Sequence, residues 1–167
     1  MFPLSYYKQF IDEALWTNDG FYGYLLELAV KDFFGLPLVI SEAGKTDCWR
    51  VPIDGHDRVL EVKQNGGDFR TAGRGNSYIA YAVYVDVNQD LAHQFGYMMQ
   101  MQTFREVGNG PLHHVRSETK DHKGEVKMSL QTLYVYKKND FLGKKAFKLA
   151  DAWEEAGAVS FKDFFRK

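Results

Sequence analysis

The sequence predicts an α/β (α+β) sandwich, a mixed central sheet flanked by helices, and three stretches of its 167 residues carry that expectation. Residues 21–34 hold an apolar stripe at helical spacing, with a start and a stop signal. Residues 48–64 read as two short strands joined by a polar turn. Residues 78–87, YIAYAVYVDV, are almost wholly apolar and aromatic, as a strand covered on both faces must be.

Residues 4–16 predict a short helix, with Tyr7, Phe10, Ile11, Ala14 and Leu15 at helical spacing. Thr17-Asn18-Asp19-Gly20 breaks it and offers a cap for the helix over 21–34, whose stripe is Phe21, Tyr24, Leu25 and Leu28. Gly35 stops that helix and Pro37 prevents its resumption. Leu36 to Ser41 predicts a strand, and 42–46 a loop. The hairpin strands are Cys48 to Ile53 and Arg58 to Gln64, around Asp54-Gly55-His56-Asp57. Asn65 to Ser77 is glycine-rich and carries Arg70 and Arg74. It reads either as a phosphate-contacting loop or as a plain connection, and it lacks the glycine-lysine-serine/threonine triplet of a P-loop.

After the strand at 78–87, residues 89–107 predict a helix with Leu91, Phe95, Met98, Met99 and Phe104 on its core face. Gly108-Asn109-Gly110-Pro111 ends it. Val126 to Lys137 predicts a long strand, and 140–156 a basic helix with Lys144, Lys145 and Lys148 against Phe141, Phe147 and Trp153. Residues 160–167 add a helical tail rich in phenylalanine. No linker or repeat interrupts the pattern, so a single domain over 1–167 is expected, with a core at about 20–137 and a basic helical segment at 138–167.

Hydrophobic residues at 45% and aromatics at 16% exclude a disordered chain. One cysteine, Cys48, excludes an intramolecular disulfide framework and a multi-cysteine zinc site. Neither a membrane span nor a signal peptide is evident, and a cytoplasmic protein of bacterial, archaeal or viral origin is the expectation. Net charge is −1 but unevenly spread: residues 1–110 hold 9 Lys+Arg against 14 Asp+Glu, and 111–167 hold 12 against 8. An acidic part and a basic part suit metal-dependent work on a polyanion, and equally an ordinary charged surface.

The chemistry concentrates in the hairpin. Glu61 and Lys63, two apart, share one face of their strand, while Leu60 and Val62 point the other way. Asp47 opens the partner strand. With a simple Gly55-His56 turn, Asp47 would point away from Glu61 and Lys63. A bulge, which Pro52 or the turn glycine could provide, would bring it onto their face. Glu27, four residues before Lys31, reads either as a surface ion pair or as a third carboxylate turned toward the hairpin.

The helix with Glu27, the hairpin with Asp47 and Glu61-Val62-Lys63, and the strand, helix and strand that follow resemble the PD-(D/E)XK nuclease superfamily, the restriction-endonuclease-like fold. The resemblance spans about residues 20–137. It rests on the order of elements and four polar residues; the proline that often precedes the first acid is replaced by Thr46. It implies that Asp47 and Glu61 bind Mg²⁺ (Mn²⁺ substituting), with the Val62 carbonyl as a further ligand and Glu27 helping to hold the metal. Lys63 would then orient or deprotonate the attacking water. Such a set makes sense for phosphodiester hydrolysis, which needs an activated water and a neutralised developing charge.

A Glu-x-Lys triplet alone is weak, expected on the order of once in a chain this size. A second copy, Glu125-Val126-Lys127 after Asp121, makes the point. The first copy is preferred because an acid precedes it at hairpin distance, a carboxylate-bearing helix lies upstream, and the required elements follow. His113-His114 lacks partners at ligand spacing, and Cys48 reads as packed. The resulting expectation is a metal-dependent DNA endonuclease acting on double-stranded or branched DNA as a homodimer, with Arg70, Arg74, Lys137, Lys138, Lys144, Lys145 and Lys148 on phosphates. Its rival is a catalytically silent module of the same fold that binds nucleic acid or protein through the aromatic sheet or the tail.

Overall fold

The computed structural model describes residues 1–18, 20–41, 48–64, 69–70, 77–82, 85–100, 127–128 and 157–166. The chain comprises two compact units: Met1–Asn65 with Tyr78–Met98 and Ser160–Lys167, and Gly66–Ser77 with Met99–Val159. In the second unit, strands β3 (Phe69–Arg70) and β6 (Lys127–Met128) pair antiparallel, Phe69 across from Met128. The rest of the strand expected at 126–137 and the basic helix expected at 140–156 lie outside the described residues.

The N-terminal segment forms two 3₁₀ helices, Leu4–Phe10 and Glu13–Leu15, where one α-helix was expected. The break has a local cause. Ile11 and Asp12 are extended, and the Asp12 carboxylate accepts from Ala14 N–H at 2.9 Å, so the side chain competes with helix continuation. Tyr7 is buried and donates its hydroxyl to Asp32 Oδ2 at 2.7 Å. Asp32 belongs to helix α1, Phe21–Phe33. The α1 C-terminus closes as expected on Gly35, left-handed at φ 70, with Leu36 N–H reaching the Lys31 carbonyl at 2.8 Å. From Leu25 to Lys31 every residue of α1 is buried, so the helix is covered all round.

Residues 36–41, expected as a strand, form no sheet ladder, and the Val39 N–H turns back to the Pro37 carbonyl at 2.9 Å. Their polar groups go to α1 instead: Val39 C=O accepts from the Lys31 ammonium and Ser41 N–H donates to Glu27 Oε1 at 2.7 Å. Pro37 has no N–H to give a ladder.

Strands β1 (Cys48–Ile53) and β2 (His56–Gln64) form the expected hairpin. Its two-residue loop is Asp54-Gly55 and not Gly55-His56. Both loop residues have positive φ (53 and 74), as the turn that matches strand twist demands. β2 then pairs in parallel with β4, Tyr78–Ala82, Glu61 beside Ile79 and Lys63 beside Tyr81. β4 is described over Tyr78–Ala82, and residues 85–87, expected to continue it, are not in the strand. Downstream, the buried side chain of Gln94 holds the turn at 86–89, accepting from Asp86 N–H and donating to the Asp86 and Gln89 carbonyls.

The helix expected at 89–107 is replaced, as far as Gln100, by a 3₁₀ turn at Leu91–His93 and strand β5, Gly96–Gln100. The run GYMMQ is apolar on both sides, and such a short run fits a buried strand as well as a helix. Strand β7, Val159–Ser160, leads into helix α2, Phe161–Phe165, within the expected tail. The five-stranded sheet has the order β1-β2-β4-β5-β7 and is mixed, antiparallel at β1/β2 and parallel at β2/β4. The architecture is therefore mixed α/β. No helix among the described residues is long and apolar enough to cross a membrane.

Two outcomes follow from this packing. A Cβ on Gly96 would enter the Phe161 ring and lie 2.7 Å from the Tyr81 carbonyl oxygen. Since the carbonyl is backbone and cannot step aside, Gly96→Ala is expected to cost about 2 kcal/mol or more, read as a lowered urea midpoint at unchanged slope. Burial first, then the hydrogen bond to Asp32 and its charge, raises the Tyr7 phenol above the usual tyrosine value. A raised folded-state value means this stabilisation is complete below the unfolded value and is lost as pH climbs beyond it. Tyr7→Phe should therefore cost about 1 kcal/mol at neutral pH and flatten the alkaline decline in urea midpoint above about pH 10.

Candidate functional site

The period-two geometry of β2 decides which side chains can act together. Leu60 is fully buried in the core shared with α1, and Val62 packs against the same core. Ala80 and Ala82 on β4 and Met98 on β5 join them. By alternation Glu61 and Lys63 take the other face of the sheet, with Ile79, Tyr81 and Tyr97, all three of which are buried. Glu61 and Lys63 themselves are half-buried. The expected shared face is thus present, on a two-neighbour strand that holds both residues rigidly.

A bulge is present, but at Trp49-Arg50 and not at Pro52 or the turn glycine, which the sequence offered for it. Near the turn Ile53, Pro52 and Val51 lie across from His56, Asp57 and Arg58, but Cys48 lies across from Leu60, so Trp49 and Arg50 together oppose Val59. Arg50 takes φ 53 at this point. A one-residue slip exchanges the two faces of everything upstream relative to β2. Without it Cys48 would stand beside Glu61. Asp47 itself lies outside the described residues, as do Arg74, Lys137, Lys138, Lys144, Lys145 and Lys148, while Arg70 is described only as a backbone position of β3.

Glu27 forms the expected i,i+4 pair with Lys31, but buried and not on the surface. It is not a surface residue, being 5% exposed, and its carboxylate is turned to the segment at 39–41. Oε1 accepts from Lys31 Nζ at 2.8 Å, Ser41 N–H at 2.7 Å and Ser41 Oγ at 2.5 Å. Lys31 Nζ, 8% exposed as a residue, also donates to the Val39 carbonyl and to Ser41 Oγ at 3.2 Å. Helix α1 lies against the sheet face of Leu60, opposite that of Glu61 and Lys63. Sequence reasoning found the i,i+4 spacing of Glu27 and Lys31 but missed Ser41. Its part depends on residues 36–41 not forming a strand.

Two smaller polar clusters were also missed. At the hairpin tip Tyr78 donates to Asp54 Oδ2 at 3.1 Å, with the Arg58 guanidinium 5.9 Å from its ring centre. Burial, then the Asp54 hydrogen bond and charge, raises the Tyr78 phenol, with Arg58 opposing. At the other end Asp90 Oδ1 accepts from His93 Nδ1 at 2.7 Å, which leaves Nε2 to accept from Arg166 at 3.3 Å and ties α2 to the Leu91–His93 turn.

Among the described residues no group of three or more His, Cys, Asp and Glu stands ready to hold a metal ion. No family model matches the chain, and no curated protein or solved structure was found that matches it.

The buried pair has an energetic consequence of its own. Lys31→Met leaves the Glu27 carboxylate buried without its ammonium partner, and removing one partner of such a pair costs about 3 kcal/mol. Glu27→Leu/Lys31→Met should recover part of that loss. Urea denaturation of the single and double variants checks both.

Proposed function

We propose that the protein is a divalent-metal-dependent nuclease that hydrolyses phosphodiester bonds of nucleic acid, a DNA endonuclease of the PD-(D/E)XK type. The observation that carries this reading is the slip between Cys48 and Val51, opposite a strand that presents Glu61 and Lys63 on one face. An unslipped hairpin would set the two strands' polar residues on opposite sides, and the reading needs the slipped one.

In this reading Asp47, Glu61 and the Val62 carbonyl hold Mg²⁺ or Mn²⁺, which when bound supplies a Lewis acid and an acidified water. Carboxylate and carbonyl oxygens are the donors a hard cation takes. Lys63 holds the attacking water and offers an ammonium to the phosphate oxygen that gains charge. Rigid placement on β2 keeps both groups in one orientation before substrate arrives. Arg70, Arg74, Lys137, Lys138, Lys144, Lys145 and Lys148 would contact phosphates, and a homodimer would supply one site per strand of a duplex. The rival binding module would use the aromatics of the sheet and tail, yet Tyr81, Tyr97, Phe161 and Phe165 are all buried in the fold.

The test is cleavage of plasmid and branched DNA with Mg²⁺ or Mn²⁺. Asp47→Ala, Glu61→Ala and Lys63→Ala should each lower the rate about 100-fold or more while the circular dichroism spectrum stays unchanged. Cleavage surviving all three substitutions would remove this hairpin from consideration.

A further inference from the structure

We propose that Arg50 binds a backbone phosphate of the nucleic acid that reaches the Glu61 and Lys63 face. The inference takes the identity of its ligand from the nuclease reading above.

Arg50 stands in the slipped part of β1, where it and Trp49 together oppose Val59. By alternation Val59 shares a face with Glu61 and Lys63, and one same-face step along β2 covers about 7 Å. A guanidinium there lies within side-chain reach of a phosphate held at Glu61. The opposite face is filled by other residues. Val51 and Ile53 carry the β1 share of the core around Leu60, at 0% and 4% exposed, whereas Arg50 lies at the surface.

The backbone at Arg50 is left-handed, with φ 53. Glycine takes that conformation freely and an arginine only under strain, so a position needed for its backbone alone would favour glycine. The guanidinium is also uncommitted, with no ion pair or hydrogen bond among the described residues. The other arginine of the hairpin differs on each count. Arg58 is half-buried, follows the Leu60 face and lies 5.9 Å from the centre of the Tyr78 ring. An exposed, unpaired guanidinium offers five N–H donors in a planar fork, which matches two oxygens of one phosphate. Glu61 repels a polyanion, and a fixed cation on the facing strand offsets that repulsion.

Anisotropy of a fluorescein-labelled DNA duplex, titrated in EDTA over a range of salt, reads the contact without cleavage. Arg50→Ala and Arg50→Gly should each weaken binding about 10-fold and lower the slope of log affinity against log salt by about 0.9, the share of one phosphate. Arg50→Gly, relieved of the strain, should keep the urea midpoint of the parent protein, so its loss of binding is not unfolding. Arg50→Lys should keep the salt slope and lose part of the affinity, because the charge remains and the fork does not. Lys162→Ala, which removes one positive charge from the exposed side of α2, should change neither quantity. Affinity and slope unmoved in both Arg50→Ala and Arg50→Gly overturn the proposal, as does an equal loss in Lys162→Ala. Cleavage separates the two readings. If Glu61→Ala stops cleavage while the Arg50 variants bind and cut as the parent does, this proposal alone falls. If the parent binds through Arg50 but cuts with neither Mg²⁺ nor Mn²⁺, the nuclease reading falls and the phosphate contact stands.

Discussion

Leu60, wholly buried against α1, is the contact from which the rest of the first unit follows. A strand has two faces and alternates between them, so committing Leu60 and Val62 to the helix commits Glu61 and Lys63 to the other side. The parallel pairing with β4 extends the same division, since Tyr78, Ala80 and Ala82 stand beside Leu60, Val62 and Gln64. Burying Leu60 removes a full leucine side chain from water, a gain of about 2 kcal/mol, and a shift of register by one residue would forfeit it and bury a carboxylate and an amine together. Register is therefore over-determined in β2. The polar face inherits that rigidity at no cost of its own.

The helix that covers Leu60 needs a second kind of support. α1 is buried all round from Leu25 to Lys31, and two of those residues are charged. A buried ion pair adds little net stability, because desolvation of both charges cancels most of their attraction. Its effect is on conformation: Glu27 and Lys31 draw Val39 and Ser41 to them. The pair thus dictates where the 36–41 segment runs. Gln94 plays a matching part at the 86–89 turn, where one buried amide replaces the partners a sheet would have supplied.

These particulars explain what could be read from the sequence. Helix α1 was legible because its stripe, its preceding breaker and its terminal glycine all act locally. The hairpin was legible for the same reason, and Asp54-Gly55 is the pair a two-residue turn favours, although the loop falls one residue earlier than the simplest reading put it. Residues 36–41 and 89–100 were not legible. In the first, long-range bonds from Glu27 and Lys31 displaced a ladder. In the second, Phe95 to Met99 is apolar at every other position and at every third or fourth, and the close approach of Phe161 to Gly96 favours the strand. Of the site, the shared face of Glu61 and Lys63 followed from spacing alone. The slip in β1 did not, because alternation permits a bulge without specifying one.

That slip is the least economical feature of the hairpin. Trp49 and Arg50 oppose a single residue, and Arg50, which has a Cβ, sits at φ 53, a conformation that costs an L-residue about 1 kcal/mol. A hairpin selected only for pairing would lose nothing by dropping one residue and running in regular register to its end. Pro52, two residues on, stays in register across from Asp57, so the departure is confined to Trp49 and Arg50. Strain of this kind persists where the surrounding structure enforces it, and it gathers where side chains must be re-aimed. Here the re-aimed strand runs alongside a strand on which a carboxylate and a lysine share a half-buried face. The strain and that polar face lie on neighbouring strands of a single hairpin, which is the physical reason for looking there for the chemistry.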